Sequence, residues 1–205
     1  MSHEFHSEDY RGHKIRILQD EDCPCPLNDD GTTLCRIAHW HRGYRIGAGR
    51  GENIRDRMDT WITEYTGKGF IVLPLAMMDH SGVSYWIGSR GSPSDPGGWD
   101  SGQVGYVWCT WQDARGMLGG PLKTLRERAV KRMTNEIKLY NWWQEGTCAG
   151  WTVASLEDED EELASCWGFL PDLETGKFDY AIMEARAAID DIMGNPTLHN
   201  QPGEH

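Results

Sequence analysis

Residues 69–87 read GFIVLPLAMMDHSGVSYWI, and residues 98–110 read GWDSGQVGYVWCT. The first opens as an unbroken apolar run, the pattern of a strand buried on both faces, and Pro74 inside it limits the pairing it can make. The DHSG turn leads into VSYWIG. After a Pro/Gly-rich loop over 88–98, the WDSG turn launches QVGYVWCT. Strand, tight turn, strand, long loop, strand predicts an antiparallel meander. Each turn combines an aspartate, a serine and a glycine for reasons its own backbone supplies. The Asp carboxylate accepts hydrogen bonds from amides one or two residues on, and Gly82 or Gly102 allows φ > 0. The same side chains admit an alternative: Asp79, His80 and Ser81 beside Asp100 and Ser101, joined by His41, are the inventory of general acid–base or metal-assisted hydrolysis. Turn chemistry already explains these residue types, so no catalytic residue is assigned and the balance leans against an enzyme.

Outward from this core, residues 10–18 (YRGHKIRIL) alternate Ile15 and Ile17 with charged neighbours, the period of a half-buried strand. QDEDCPCPLNDDG over 19–31 is a loop, and a second strand is expected over 32–41. Asn53 is placed to cap a helix whose Ile54, Met58, Trp61 or Ile62, and Tyr65 recur at helical spacing. Thr110 with Asp113 three residues on marks a short helix. Pro121 then opens the longest one, with Leu122, Leu125, Ala129, Met133, Ile137 and Tyr140 on one stripe. CAGWTVASL and LASCWGFL predict a hairpin around the six carboxylates 157–162. A last helix spans about 179–193 and stops at Gly194, Asn195 and Pro196. The expected fold class is α+β: a single antiparallel β-sheet of about six strands with three to four helices packed mainly on one face. Residues 1–9 are expected to be a flexible arm, 10–194 one domain and 195–205 a flexible tail.

With 20 Lys and Arg against 32 Asp and Glu, the net charge is −12, which on average repels nucleic-acid phosphates and disfavours direct nucleic-acid binding. One basic stripe stands out: Lys123, Arg126, Arg128, Lys131 and Arg132, to be weighed against a solvated helix face. No stretch has the length of apolar sequence that a membrane span needs, and the first residues lack the basic and apolar regions of a secretion signal. The expected location is a reducing cytoplasm. The six cysteines are then thiols or metal ligands rather than a disulfide frame. Cys23, Cys25, Cys35, His39 and His41 offer enough soft ligands for tetrahedral zinc, but their spacing fits no strong template, so no cofactor is assigned. The acidic loop of Asp20, Asp22, Asp29 and Asp30 lacks the spacing of a calcium loop and reads as solvated surface.

The blocks YRGHKIRILQDED, GTTLC, HRGYRIG, DHSG, WDSGQVG and ASCWGF, in this order, resemble an uncharacterised family of small proteins encoded by bacteriophages and other mobile elements. The resemblance covers most of residues 10–169, and Cys23 and Cys25 lie outside its pattern. It implies an accessory role in a host cell, where such proteins often inhibit defence factors by covering a protein surface. The expected function is therefore an acidic phage protein of anti-defence type, anti-CRISPR or anti-restriction. It would block a host nucleic-acid-acting enzyme by direct contact. Its expected contact residues are Asp20, Asp22, Asp29, Asp30, Glu157, Asp158, Glu159, Asp160, Glu161 and Glu162. The alternative is a small metal-dependent hydrolase built on the DHSG and WDSG turns.

Overall fold

The computed structural model describes residues 2–28, 31–47, 50–65, 69–89, 91–92, 94–95 and 97–194. Among them lie β1 Glu4–Tyr10, β2 His13–Gln19, β3 Arg36–His39, β4 Gly51–Asn53, β5 Phe70–Asp79, β6 Val83–Ile87, β7 Ser101–Thr110, β8 Ala149–Ser155 and β9 Glu162–Phe169. The helices are α1 Met58–Tyr65, α2 Trp111–Leu118, α3 Leu125–Gln144 and α4 Asp179–Gly194. The α+β class is as expected. The single sheet is not: the strands form one sheet of four and another of five. The chain divides accordingly into two compact units, unit 1 from residues 1–23 and 146–205 and unit 2 from residues 24–145. No described helix is long and apolar enough to cross a membrane.

In unit 1 the strand order is β1-β2-β8-β9, antiparallel throughout. Ile15 and Ile17 of β2 and Ala149, Trp151 and Val153 of β8 point to one face. There they meet Ala181, Ala185 and Ile189 of α4, where period two meets a helical stripe. Residues 4–9 of the expected flexible arm, with Tyr10, form β1 and pair with β2 from Glu4↔Leu18 to Tyr10↔His13. Its sequence, EFHSEDY, hides this because Phe5 and Tyr10 alone supply its apolar contacts to the core. Arg11 and Gly12, at φ 47° and 80°, make the tight connection whose twist suits a two-residue hairpin. Residues 195–205 lie outside the described part of the chain.

Cys23 and Cys148 are joined as a disulfide, which corrects the expectation that the cysteines are thiols or metal ligands. The pairing of Gln19 with Ala149 carries the chain on so that the two Cα atoms lie 6.2 Å apart, within bridging range. The bond closes the point where the chain leaves unit 1 and the point where it returns.

Unit 2 has the strand order β4-β3-β7-β5-β6, with β3 and β4 parallel and the other pairs antiparallel. It is not the meander expected: β7 lies between β3 and β5, and β6 forms an edge. The residues of β7 explain its central place, since Val107 and Cys109 face α3 while Tyr106 and Trp108 face Trp61 of α1. Helices therefore cover both faces rather than mainly one. Helix α3 buries Leu125, Ala129, Met133, Ile137 and Tyr140 as its stripe predicts, while Leu122 sits in a preceding turn of 3-10 helix and is exposed. The stripe also carries buried Glu136, whose carboxylate accepts the backbone N–H of Leu34 (2.9 Å) and Cys35 (2.8 Å) and the Arg132 Nε–H (2.6 Å). Thr110 caps α2 through the Asp113 amide at 2.9 Å, as the spacing predicts.

Candidate functional site

The end of the unit 2 sheet formed by the start of β7, the end of β5 and the loop after β3 gathers the polar residues of both turns. The Asp79 amide donates to the Asp100 carbonyl at 2.8 Å, so the DHSG and WDSG corners are hydrogen-bonded to each other. His80 Nδ1 lies 2.8 Å from Asp100 Oδ2, and the Tyr44 hydroxyl donates to Asp79 Oδ2 at 2.9 Å. His41 stacks on the Tyr44 ring with centroids 5.0 Å apart. His41 Nδ1 accepts the backbone N–H groups of Gly43 (3.2 Å) and Tyr44 (3.1 Å), which places its ring proton on Nε2. All four residues of the alternative catalytic set are thus brought to one edge.

The aspartates are therefore occupied differently from the expectation. Asp79 and Asp100 hold a tyrosine and a histidine, and Asp95 serves the second corner in their place. Its carboxylate accepts the amides of Trp99 (3.2 Å) and Asp100 (2.9 Å) and the Ser101 hydroxyl (2.8 Å). These bonds, the Ser101 hydroxyl first, pull the Asp95 pKa below the usual carboxylate range. Asp95 lies five residues before Asp100, beyond the reach of a search confined to the turn itself. Trp99, on this braced corner, is 90% exposed.

The register explains the rest of the WDSGQVG stretch. Leu75 pairs with Gly105 and Ala76 with Gln103, so Val104 is the extra residue of a β-bulge. A Cβ at Gly105 would lie 2.3 Å from the Ala38 carbonyl oxygen, so β3 approaches too closely for any other residue. The bulge and the close approach set β3 and its following loop against the turn residues.

Beneath this edge, His39 is 2% and Tyr85 3% exposed, and among the described residues neither His39 Nδ1 nor the Tyr85 hydroxyl has a hydrogen-bond partner. Burial lowers the His39 pKa, with neighbouring His41 adding to the effect. Burial raises that of Tyr85 well above the phenol range, and nearby Tyr140, Tyr44 and Asp79 push the same way. Gln144 approaches the Tyr85 hydroxyl and opposes that rise without reaching hydrogen-bond geometry. Nothing in the sequence distinguishes Tyr44 and Tyr85 from packing aromatics.

The expected contact residues separate by role. Glu157 to Glu162 are all exposed at the β8–β9 turn, where Glu159 pairs with Arg16 and the Asp160 amide bonds the Asp158 carboxylate. Asp20 belongs to the fold instead, its carboxylate accepting the amides of Asp22 and Gly168 at 3.0 Å each. Asp22 is exposed, and Asp29 and Asp30 lie outside the described residues. The proposed zinc ligands do not gather. Cys23 is in the disulfide, Cys35 and His39 are buried, Cys25 packs against the unit 2 core, and His41 stacks on Tyr44. Among the described residues no three His, Cys, Asp or Glu side chains are placed to hold a metal ion. The basic stripe is also broken up. Arg128 donates to the Leu118 and Pro121 carbonyls, and Arg132 to Glu136 and the Thr32 carbonyl. Lys123, Arg126 and Lys131 remain exposed.

No family model matches the chain, and neither a curated protein nor a solved structure matches it.

Proposed function

We propose that the protein acts by stoichiometric contact with a protein partner, as an acidic inhibitor of a host nucleic-acid-acting defence enzyme of CRISPR or restriction type. The supporting observation is the segregation of charge. Unit 1 carries 19 acidic and 5 basic residues, a net −14, while unit 2 carries 13 and 15, a net +2. Four of the five unit 1 cations are held by its own carboxylates, in the pairs Arg11–Asp190, Lys14–Asp9, Arg16–Glu159 and Arg186–Glu8. The remaining acidic surface complements a basic nucleic-acid channel and steers association with it. Capture from host lysate by the tagged chain tests this. Recovery of a nucleic-acid enzyme at low salt, reduced at least about tenfold when Glu157–Glu162 are changed to Gln and Asn, supports the reading. Recovery that ignores both salt and those substitutions, or recovery of no such enzyme, removes it.

A second reading, a small hydrolase, is favoured by the contact between His80 Nδ1 and Asp100 Oδ2. A carboxylate on Nδ1 fixes the tautomer that leaves Nε2 free to accept a proton. Its metal-dependent form has less support, since Asp79 and Asp100 are engaged by Tyr44 and His80. Loss of a hydrolytic activity in folded His80→Ala and Asp100→Ala variants would raise this reading above the first.

A further inference from the structure

The polar edge of unit 2 has features that the acidic surface of unit 1 leaves unused. Tyr44 packs one ring face on His41, remains 38% exposed, and holds its hydroxyl on Asp79. A flat ring beside a carboxylate is the pairing that planar nitrogen heterocycles meet in proteins, one group stacking and the other accepting N–H donors. The Asp79 carboxylate has acceptor capacity beyond the single Tyr44 bond. Arg42 and Arg45, on either side of Tyr44 in the chain, are exposed. His80, gripped by Asp100 at Nδ1, has a side chain 69% exposed. With Nδ1 engaged by Asp100, Nε2 is the ring nitrogen left for a ligand.

We propose that this sheet end binds a 5′-mononucleotide whose base carries an amino group. The base stacks on the outer face of Tyr44 and donates its amino N–H to Asp79. The phosphate lies against Arg42, Arg45 and His80. The proposal is independent of the acidic surface of unit 1. It concerns occupancy, whether or not the His80–Asp100 pair acts on what is bound.

Calorimetric titration of the full chain with the monophosphates of guanosine, adenosine, cytidine and uridine tests it. At least one amino-bearing nucleotide is expected to bind with a dissociation constant below about 1 mM, and uridine monophosphate at least about tenfold more weakly. Asp79→Asn, which keeps the side-chain shape, is expected to weaken the preferred nucleotide at least about tenfold. In the wild-type protein, NMR shifts on binding should centre on Tyr44, His41 and His80, a readout that needs no variant to fold. Absence of saturable binding for all four overturns the proposal. So does uridine monophosphate binding as tightly as the others, or shifts centred elsewhere in the chain.

Discussion

The two units solve the problem of burying a sheet in opposite ways. Unit 1 covers one face of a four-stranded antiparallel sheet with helix α4 and adds a disulfide, while its charge runs to −14. Unit 2 covers both faces of a five-stranded sheet, encloses Trp61 completely and is near charge balance. A one-faced sheet buries less apolar surface per residue and is more dependent on a covalent tie. A sheet covered on both faces has its strand ends left as the place where polar groups gather. Tyr44, Asp79, His80 and Asp100 accordingly lie at such an end, and the exposed carboxylates belong to the hairpin of the other unit.

The comparison can be broken most directly at the disulfide. It closes a loop with a sequence separation of 125 residues. Chain entropy assigns such a loop about 5 kcal/mol against the fully unfolded chain, and less while unit 2 stays folded and holds the loop short. Cys148→Ser is expected to lower amide protection throughout β2, β8 and α4 while β5 and β7 keep theirs. Equal loss in both units, measured by native-state hydrogen exchange, would show that the two do not stand on separate supports.

The reciprocal change is Trp61→Ala, which empties the centre of the α1 face. A loss of about 3–5 kcal/mol is expected in unit 2, with unit 1 protection unchanged. Next in size is Glu136→Gln. The amide retains one acceptor oxygen where the carboxylate had two, so one of the Leu34 and Cys35 amides loses its bond, at about 1–3 kcal/mol by denaturant titration.

The smallest effect is in acid, and the two units should enter it in a fixed order. His39 of unit 2 has its pKa lowered by burial, from a reference of 6.5. The folded state then binds fewer protons than the unfolded, so the contribution is complete above about pH 6.5 and is lost as pH falls through the lower folded value. Glu8 of unit 1 is lowered chiefly by its hydrogen bond from Arg186, from a reference of 4.5. Its contribution is present above that reference and declines only as pH falls through the lower folded value. Exchange followed from pH 7 to pH 4 should show unit 2 weakening first, with His39→Gln removing that early limb. A unit 1 that weakens at the higher pH would reverse the assignment.

Much of this was legible in residue order. The stripe of α3, the alternation of β2, the Thr110 cap and the β8–β9 hairpin each rest on contacts within one element or between neighbours, where periodicity and cap chemistry act. The division into two sheets was not legible, because period two says which face of a strand is apolar and nothing about which core receives it. Strand β1 escaped because its partner, not its composition, makes it a strand. The site was half legible: Asp79, His80, Asp100 and His41 could be named together, but as an alternative to turns that bond themselves. Asp95 and Tyr44 decide that question, and both act across a gap in sequence that turn rules do not span.

By itself the amino-acid sequence determined the α+β class, the positions of most strands and helices, and the excess of carboxylates. These follow from local propensity, hydrophobic period and the count of charges. Only the tertiary structure decided that β7 lies between β3 and β5, that Cys23 meets Cys148, and that the two aspartate corners hold a tyrosine and a histidine rather than their own backbones. Each of those outcomes depends on pairing between segments distant in the chain, and such pairing is selected by the burial it completes across a whole unit, which no short stretch of residues encodes.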